Sequence, residues 1–514
     1  MLNRLRIDRS SLSNSPSTKA TACLIATATA LLLFAGVQAS AQHDKPSEKK
    51  PAYTVLYTFT GMEDGAQPVN ITDFDREGNL YGITLGGGNI GYTNCQNYVN
   101  LGCGVVFKID RDGKESVLYE LTTLTTPIAP FPGVPPIAPF PGVPSASLIR
   151  DKEGNLYSTG YDTLYKLTPG GHETDLFVFS NYPDYNLRGE GIAPTGSLVQ
   201  DHEGNLYGVT EVGGSGGFCG NLFNLSGIGC GVVYKVDPQG RETILYTFTG
   251  NADGGNPVSG LIRDEEGNLY GVTEYWGSGD TAFNCFQAPI QGCGVIFKVD
   301  PKGNETVLYS FTGGSDGANP VGLIRDRDGT FYGATSILGR LPGGQPGHGT
   351  IFKLDAHGKF TLLYTFTGQE DGGYPVATPI MVGKDLYGAT AAGGNKVPQF
   401  GGGAGVIYKL DLSTRRETVL YNFLQPNEGD SGGVPSPDGG FPAGKLTADA
   451  EGNLYGAAFE GGNYNGTNCR LGCGVIYKLT LHDKCDDDHH ERCDDHHHHN
   501  DWPDSFLISN DSEN

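Results

Sequence analysis

Methionine and tryptophan are scarce in this 514-residue chain, at 3 and 2 copies, and charged residues make up only 18% of it. Catalytic signatures are missing too. No nucleophile elbow, phosphate loop, HExxH helix or dinucleotide fingerprint occurs. The Gly-rich runs fall between strand-like segments, with no helix behind them to present its N-terminus to a phosphate. Basic charge is in short supply: 35 Lys and Arg stand against 58 Asp and Glu, a formal net charge of −23. That balance argues against nucleic acid or anionic lipid as a partner held by charge. Long apolar runs are absent beyond residue 37, so no membrane span is expected.

The one apolar run, 23–37, has the setting of an export signal. Arg4, Arg6, Arg9 and Lys19 precede it and Ala39-Ser40-Ala41 follows it. Residues 1–41 therefore read as a secretory signal peptide, too short in its apolar part to span a bilayer. Residues 42–52 read as a disordered polar segment and 482–514 as a disordered acidic, His-rich tail. An extracytoplasmic protein, secreted or periplasmic, is expected.

What the sequence has in abundance is self-similarity. EGNLYG at 266–271 recurs with its tyrosine at Tyr81, Tyr157, Tyr207, Tyr270, Tyr332, Tyr387 and Tyr455. Around each copy run the same four β-type segments: LIRD-like (a), LYGVT-like (b), GVVYK-like (c) and VLYTF-like (d). Asp-x-x-Gly-Asn between a and b, and the matching c–d segment, suit a type I turn followed by a left-handed Gly. The sixth copy has Val382-Gly383-Lys384-Asp385 instead, which suits a two-residue type II′ turn. Four antiparallel strands repeated seven times predict an all-β, seven-bladed β-propeller over 53–481. The first strand is a lone d and the last repeat stops at c, so the N-terminal strand is expected to complete the last blade and close the ring. All long connections are b–c or d–a and lie at one end, where binding residues are expected.

Ten cysteines remain after the signal peptide, in close pairs. Cys95 and Cys103, Cys219 and Cys230, Cys285 and Cys293, and Cys469 and Cys473 occupy the same b–c loop in four repeats. Disulfides are expected in an exported chain, and two thiolates with no neighbouring His cannot complete a zinc site. A tandem PIAPFPGVP at 127–135 and 136–144 reads as an insertion in a surface loop, or as a proline-rich ligand segment.

The pattern TFTGxxDGxxP, DxEGNLYGxTxxGG, CGVVFKxDxxGxETVLY over 53–481 resembles the GloVer (Gloeobacter/Verrucomicrobia) tandem-repeat family of exported bacterial proteins. The resemblance implies an extracytoplasmic location and no defined enzymatic activity. Members often end in a sorting signal; this chain ends in the His-rich tail.

Two function classes remain open. One is a binding or scaffold module working through the loop-rich face. The other is a carbohydrate-active enzyme, lyase or glycosidase, with carboxylates converging at the channel mouth. The partner expected is an extracellular glycan or protein, and a monomer is expected. The recurrent candidates for ligand contact are Asp64, Asp253, Asp316, Asp371 and Asp438, against the alternative that each caps its own turn. No cofactor is required by the body. The tail could take a divalent transition metal on Cys485, His489, His490, Cys493, His496, His497, His498 and His499, since imidazole and thiolate suit such ions. In every c strand a Lys follows the aromatic residue, and five d strands begin near a Glu, an arrangement expected to pair across the hairpin.

Overall fold

The computed structural model describes residues 50–481 apart from 73, 89–101, 122–146, 161, 180–190, 216–218, 220–228, 278–284, 286–291, 395–402, 425–435, 463–468 and 470–471. The signal peptide, the tandem PIAPFPGVP, Cys95 and the His-rich tail lie outside the described residues. Within them there is no α-helix, and the strands form seven antiparallel sheets, each in the order a-b-c-d. The chain is a seven-bladed β-propeller. Blade 3 is representative: a is Gly191–Gln200, b Leu206–Gly213, c Val232–Val236 and d Glu242–Thr247. No helix among the described residues is long and apolar enough to cross a membrane.

Closure follows the expected route. Blade 7 takes Gly440–Ala448, Leu454–Glu460 and Val475–Thr480 from the end of the body and Ala52–Thr58 from its start. Ala52 faces Thr480 and Thr58 faces Val475. Tyr53 stacks on Tyr421 at 3.9 Å between ring centroids, and Phe59 is fully buried edge-on to Phe107 of blade 1. The N-terminal strand thus bridges blades 6, 7 and 1.

The repeated phrase has a physical reason at each position. The Asp opening the a–b turn accepts from the backbone N–H and the side-chain amide of the Asn four residues on, and from the hydroxyl of the Tyr six residues on. For Asp264, Asn268 and Tyr270 these distances are 2.7, 2.8 and 2.9 Å. The same triad forms at Asp75, Asp151, Asp201 and Asp449. Gly in LYG stands opposite the c-strand aromatic, Gly208 against Tyr234 and Gly271 against Phe297. A Cβ there would collide with the ring. In blade 6, Val382 pairs with Asp385, and Gly383 alone of the two turn residues has a positive φ, 63°, as a type II′ turn requires.

Blades lock through these residues. Tyr207 lies between Lys235 of its own c strand, at 5.9 Å, and Arg263 of the next blade, at 5.7 Å. Tyr270 lies likewise between Lys298 and Arg325. Such cation–π contacts are worth about 0.5–1 kcal/mol at exposed sites and more when desolvated. In blades 2, 3, 4, 6 and 7 the Lys therefore serves its own blade's tyrosine. It does not face the expected Glu: Lys108 is opposite Ser116 while Glu115 is opposite Ile109, and a one-residue offset puts side chains on opposite faces.

Strand a differs most from its sequence reading. In blades 1, 3, 5 and 7 it starts well before LIRD, at Ala66, Gly191, Ala318 and Gly440. In blades 4 and 6 it is split, with Gly255–Pro257 and Gly373–Pro375 as the earlier pieces. The prolines that mark a loop in the sequence are tolerated because a is an edge of its sheet. The residue before each proline adopts φ of 53–58° or 59°, at Gln67, Ala193, Asn256, Asn319, Tyr374 and Phe441.

Candidate functional site

Three of the expected disulfides are formed, Cys219–Cys230, Cys285–Cys293 and Cys469–Cys473. Cys103 is disulfide-bonded as well. Each bridge anchors the loop-rich end to the next blade. The carbonyls of Cys230, Cys293 and Cys473 accept from the left-handed residues Asn256, Asn319 and Gln67 at 2.8, 3.1 and 2.7 Å. Bridged cysteines suit an oxidising, extracytoplasmic compartment.

The five recurrent aspartates are not brought together. Each sits in its own d–a corner. Asp253 accepts from Tyr246 Oη (2.9 Å), Thr249 N (2.8 Å), Thr249 Oγ1 (2.6 Å) and Asn251 N (3.2 Å). Asp64, Asp316 and Asp371 repeat the pattern with Tyr57, Tyr309 and Tyr364. Asp438 accepts from Tyr421 and Ser436. After strand d of blade 1, where the corner Asp is missing, Tyr119 donates instead to Glu173 Oε2, at 3.2 Å. Among the described residues no group of three or more His, Cys, Asp or Glu is placed to hold a metal. The tail residues Cys485 to His499 lie outside those residues.

A different set converges on the axis. Strands a contribute Asn70, Ser197, Val321 and Lys445, from blades 1, 3, 5 and 7, and the links between the two pieces of strand a in blades 4 and 6 contribute Ser259 and Thr378, to one cavity. Those strands therefore line the central channel. Toward the loop-rich end its wall holds Glu274, Asn319 and Ser336. Strand b of blade 4 (Leu269–Tyr275) ends there and delivers Glu274. The carboxylate of Glu274 accepts from Asn319 Nδ2 at 3.0 Å and from the Tyr275 hydroxyl. Ser336 Oγ donates to the Asn319 carbonyl at 3.3 Å. In blade 3 the equivalent acid is Glu211, whose carbonyl accepts from Asn256 Nδ2 at 3.1 Å. Asn256 and Asn319 are 0% and 5% exposed, and the side-chain oxygen of each is buried with no hydrogen-bond partner.

Burial dominates the electrostatics. It pushes Glu211 up to about 7. It pushes Glu274 up to about 8, with the charge of Glu211 adding to the effect and the donors Tyr275 and Asn319 opposing it. Burial also raises the Tyr275 hydroxyl, followed by the charge of Glu274. Two carboxyls that exchange protons near neutrality, one of them on a concave wall, can bind a cation or act as acid and base.

Backbone strain clusters at the same place. The position seven residues after the Leu of LYG in strand b is Gly213, Gly393 or Gly461 in blades 3, 6 and 7, all with positive φ. Blades 4 and 5 put Trp276 (φ 66°) and Leu338 (φ 61°) there. Bulky residues in this region are outliers that concentrate at functional sites. The sequence signal for the site was LYGVTE, which carries its Glu in copies three and four only. Reading the repeats for what they share passed over it.

The repeat family described as Gloeobacter/Verrucomicrobia repeat matches residues 45–282 and 283–486. No curated protein sequence compared with the chain matches it. Among solved structures, a streptogramin B lyase is 14% identical with a TM-score of 0.46, covering 85% of this chain and 100% of its own. Virginiamycin B lyase from Staphylococcus aureus is 17% identical with a TM-score of 0.45, covering 84% and 100%. The extracellular domain of a putative one component system from B. thetaiotaomicron is 13% identical with a TM-score of 0.44, covering 84% of this chain and 41% of that one.

Proposed function

The chain belongs to the Gloeobacter/Verrucomicrobia repeat family, and from that premise we propose that it is an exported binding module whose ligand enters the central channel from the loop-rich end. The observation that carries this reading is the channel wall itself. One concave surface gathers hydroxyl, amide and valine side chains from six rigid blades around the Glu274–Asn319 pair. Sites of that make-up, mostly preformed and with few oriented polar groups, are where small ligands bind. The partner class is an extracellular glycan or protein presenting a small polar group, met by a monomeric ring. The His-rich tail adds a separate, loose site for a divalent transition metal, which the ring does not need.

The second reading is a carbohydrate-active enzyme, lyase or glycosidase, and Glu211 with Glu274 favours it. A carboxyl held protonated near pH 7 is a competent general acid, and its partner a competent base.

The deciding experiment exposes the exported chain and a Val321→Trp variant, which plugs the channel, to a glycan array and a panel of small polar compounds. Ligands bound by the parent and lost by the plugged variant support the channel site. Equal binding by both refutes it. New reducing or unsaturated chain ends that vanish in Glu274→Gln would establish the enzyme instead.

A further inference from the structure

The walls of the channel also say what kind of group should dock there. Of the cavity-lining residues, Glu274 is the only anion and Lys445, across the ring on blade 7, the only cation. Beside Glu274 stands a buried acceptor without a donor. Asn319 gives one amide N–H to Glu274, and its side-chain oxygen, in a residue 5% exposed, has no partner. Ser336 Oγ gives its hydrogen to the Asn319 carbonyl, which leaves lone pairs toward the cavity. Asn319 Oδ1, which has no donor, and Ser336 Oγ, with lone pairs to spare, therefore share one wall with the Glu274 carboxyl, whose own partners are Asn319 Nδ2 and the Tyr275 hydroxyl. A buried acceptor without a donor costs on the order of 1–3 kcal/mol, so an arriving donor group is favoured.

The rest of the wall argues for an organic donor rather than a bare ion. Val258, Val321 and Val376 occupy the same strand-a position, directly after proline, in blades 4, 5 and 6, and all three line the cavity. They form an apolar arc beside the acceptor cluster. A hydrated or chelated metal gains nothing from such an arc, whereas an aliphatic or aromatic body does.

We propose that the channel binds a small organic ammonium, its three N–H donors meeting Glu274, Asn319 Oδ1 and Ser336 Oγ and its apolar body lying on the Val258–Val321–Val376 arc. This rests on the binding reading above and narrows it to one ligand class. The cavity-lining groups are Glu274 of blade 4, Asn319 of blade 5 and, across the channel, Lys445; behind them Tyr275 donates to Glu274 and the charge of Glu211 of blade 3 acts on it. Because Glu274 holds its proton up to about pH 8, uptake of the cation at pH 7.5 releases a proton.

The test is calorimetric titration of the exported chain with phenethylamine, with 2-phenylethanol as neutral counterpart and calcium chloride as bare cation. Phenethylamine should bind at least tenfold more tightly than the alcohol. Its apparent heat should differ between phosphate and Tris buffers by the released proton. Glu274→Gln should lose at least tenfold in affinity while melting within a few degrees of the parent. Should Glu274→Gln fail to fold, Val321→Trp supplies the second variant and should abolish binding. Equal binding of amine and alcohol, or binding by Glu274→Gln at parental affinity, overturns the proposal. Calcium binding that is lost in Glu274→Gln, without amine binding, overturns it in favour of a metal site. If no amine binds while an array ligand is displaced by Val321→Trp, the ammonium inference falls and the binding reading stands. If the channel takes neither, both fall.

Discussion

Three hydroxyls in the ring ought to be dispensable. Tyr234, Tyr408 and Tyr477 are fully buried in strand c, and their hydroxyl oxygens find no hydrogen-bond partner. The same position is Phe107, Phe297 and Phe352 in other blades, each also fully buried. The ring edge packs on the preceding d-strand Phe in both cases, as in Phe179–Tyr234 at 5.1 Å and Phe248–Phe297 at 5.0 Å. Tyr→Phe should therefore keep every packing contact and remove only an unsatisfied polar atom. Leaving such an atom buried costs about 1–3 kcal/mol, so each substitution should stabilise the ring by about 1 kcal/mol. With an unfolding entropy of about 2 cal/mol/K per residue, a cooperatively melting body of this size gains only about 1 °C per kcal/mol. The triple variant Tyr234→Phe, Tyr408→Phe, Tyr477→Phe, with its sites in separate blades, should add to about 3 °C. Differential scanning calorimetry reads this directly. Phe297→Tyr is the reverse control and should lower the melting temperature. A triple variant melting below the parent would show that the hydroxyls are satisfied in solution and would refute the reasoning.

The ring should lose stability as the medium turns alkaline: burial, then the charge of Asp64, Asp253 and Asp371, raises Glu115 and Glu305 to about 7 and Glu417 to about 8. A carboxyl whose folded pKa exceeds its unfolded value, about 4.3, gives stability fully present below that value and lost as pH rises to 8, so melting temperatures should fall between pH 5 and 8; a rise would contradict it. Deleting residues 52–59 removes the fourth strand of blade 7 and the buried Phe59, whose truncation to Ala alone is worth about 3–5 kcal/mol; a deleted chain that melts like the parent would disprove closure by this strand. Zinc titrated into the full chain should bind the tail and weaken as pH drops through about 6, where His protonates, while a chain ending at Leu481 should not bind it; equal binding by both would place the site in the ring.

How far the sequence could be read depended on whether a feature was repeated. Seven copies of the phrase built on EGNLYG, four of them exact, made blade number, strand order and closure legible, and the turn chemistry of Asp264 to Asn268 and of Gly383 was legible from local rules alone. Strand a was cut short because Pro257, Pro320 and Pro375 look like loop residues until one knows that the strand is an edge facing the channel. The Lys–Glu pairing failed on a one-residue offset that no spacing reveals before the hairpin register is known. Glu211 and Glu274 were passed over because a residue present in two copies of seven disappears when the copies are aligned for what they share.

That last miss carries a general consequence for a ring of repeats. Positions filled alike in most blades are already occupied. The turn aspartates hold Asn and Tyr, the corner aspartates hold a d-strand Tyr and a Thr, and the c-strand lysines lie over a tyrosine. A side chain committed in five blades to holding the ring together has little left for a ligand. Recognition must then fall to positions that break the repeat, and on the channel wall these are Glu274, Ser336 and Lys445. Glu274 and Ser336 stand where blades 6 and 7 have Ala391 and Phe459 in strand b, and Lys445 lies in strand a of blade 7; none of them replaces a turn glycine, so the ring tolerates them without loss of a lock. Trp276 and Leu338 follow two residues after Glu274 and Ser336, and both take the left-handed conformation that glycine holds in blades 3, 6 and 7. Strain, departure from the repeat and unsatisfied acceptors meet at one sector of the loop-rich end, in blades 4 and 5. That coincidence is what separates a site from the scaffold, and it directs mutagenesis to that sector rather than to the more conspicuous aspartates.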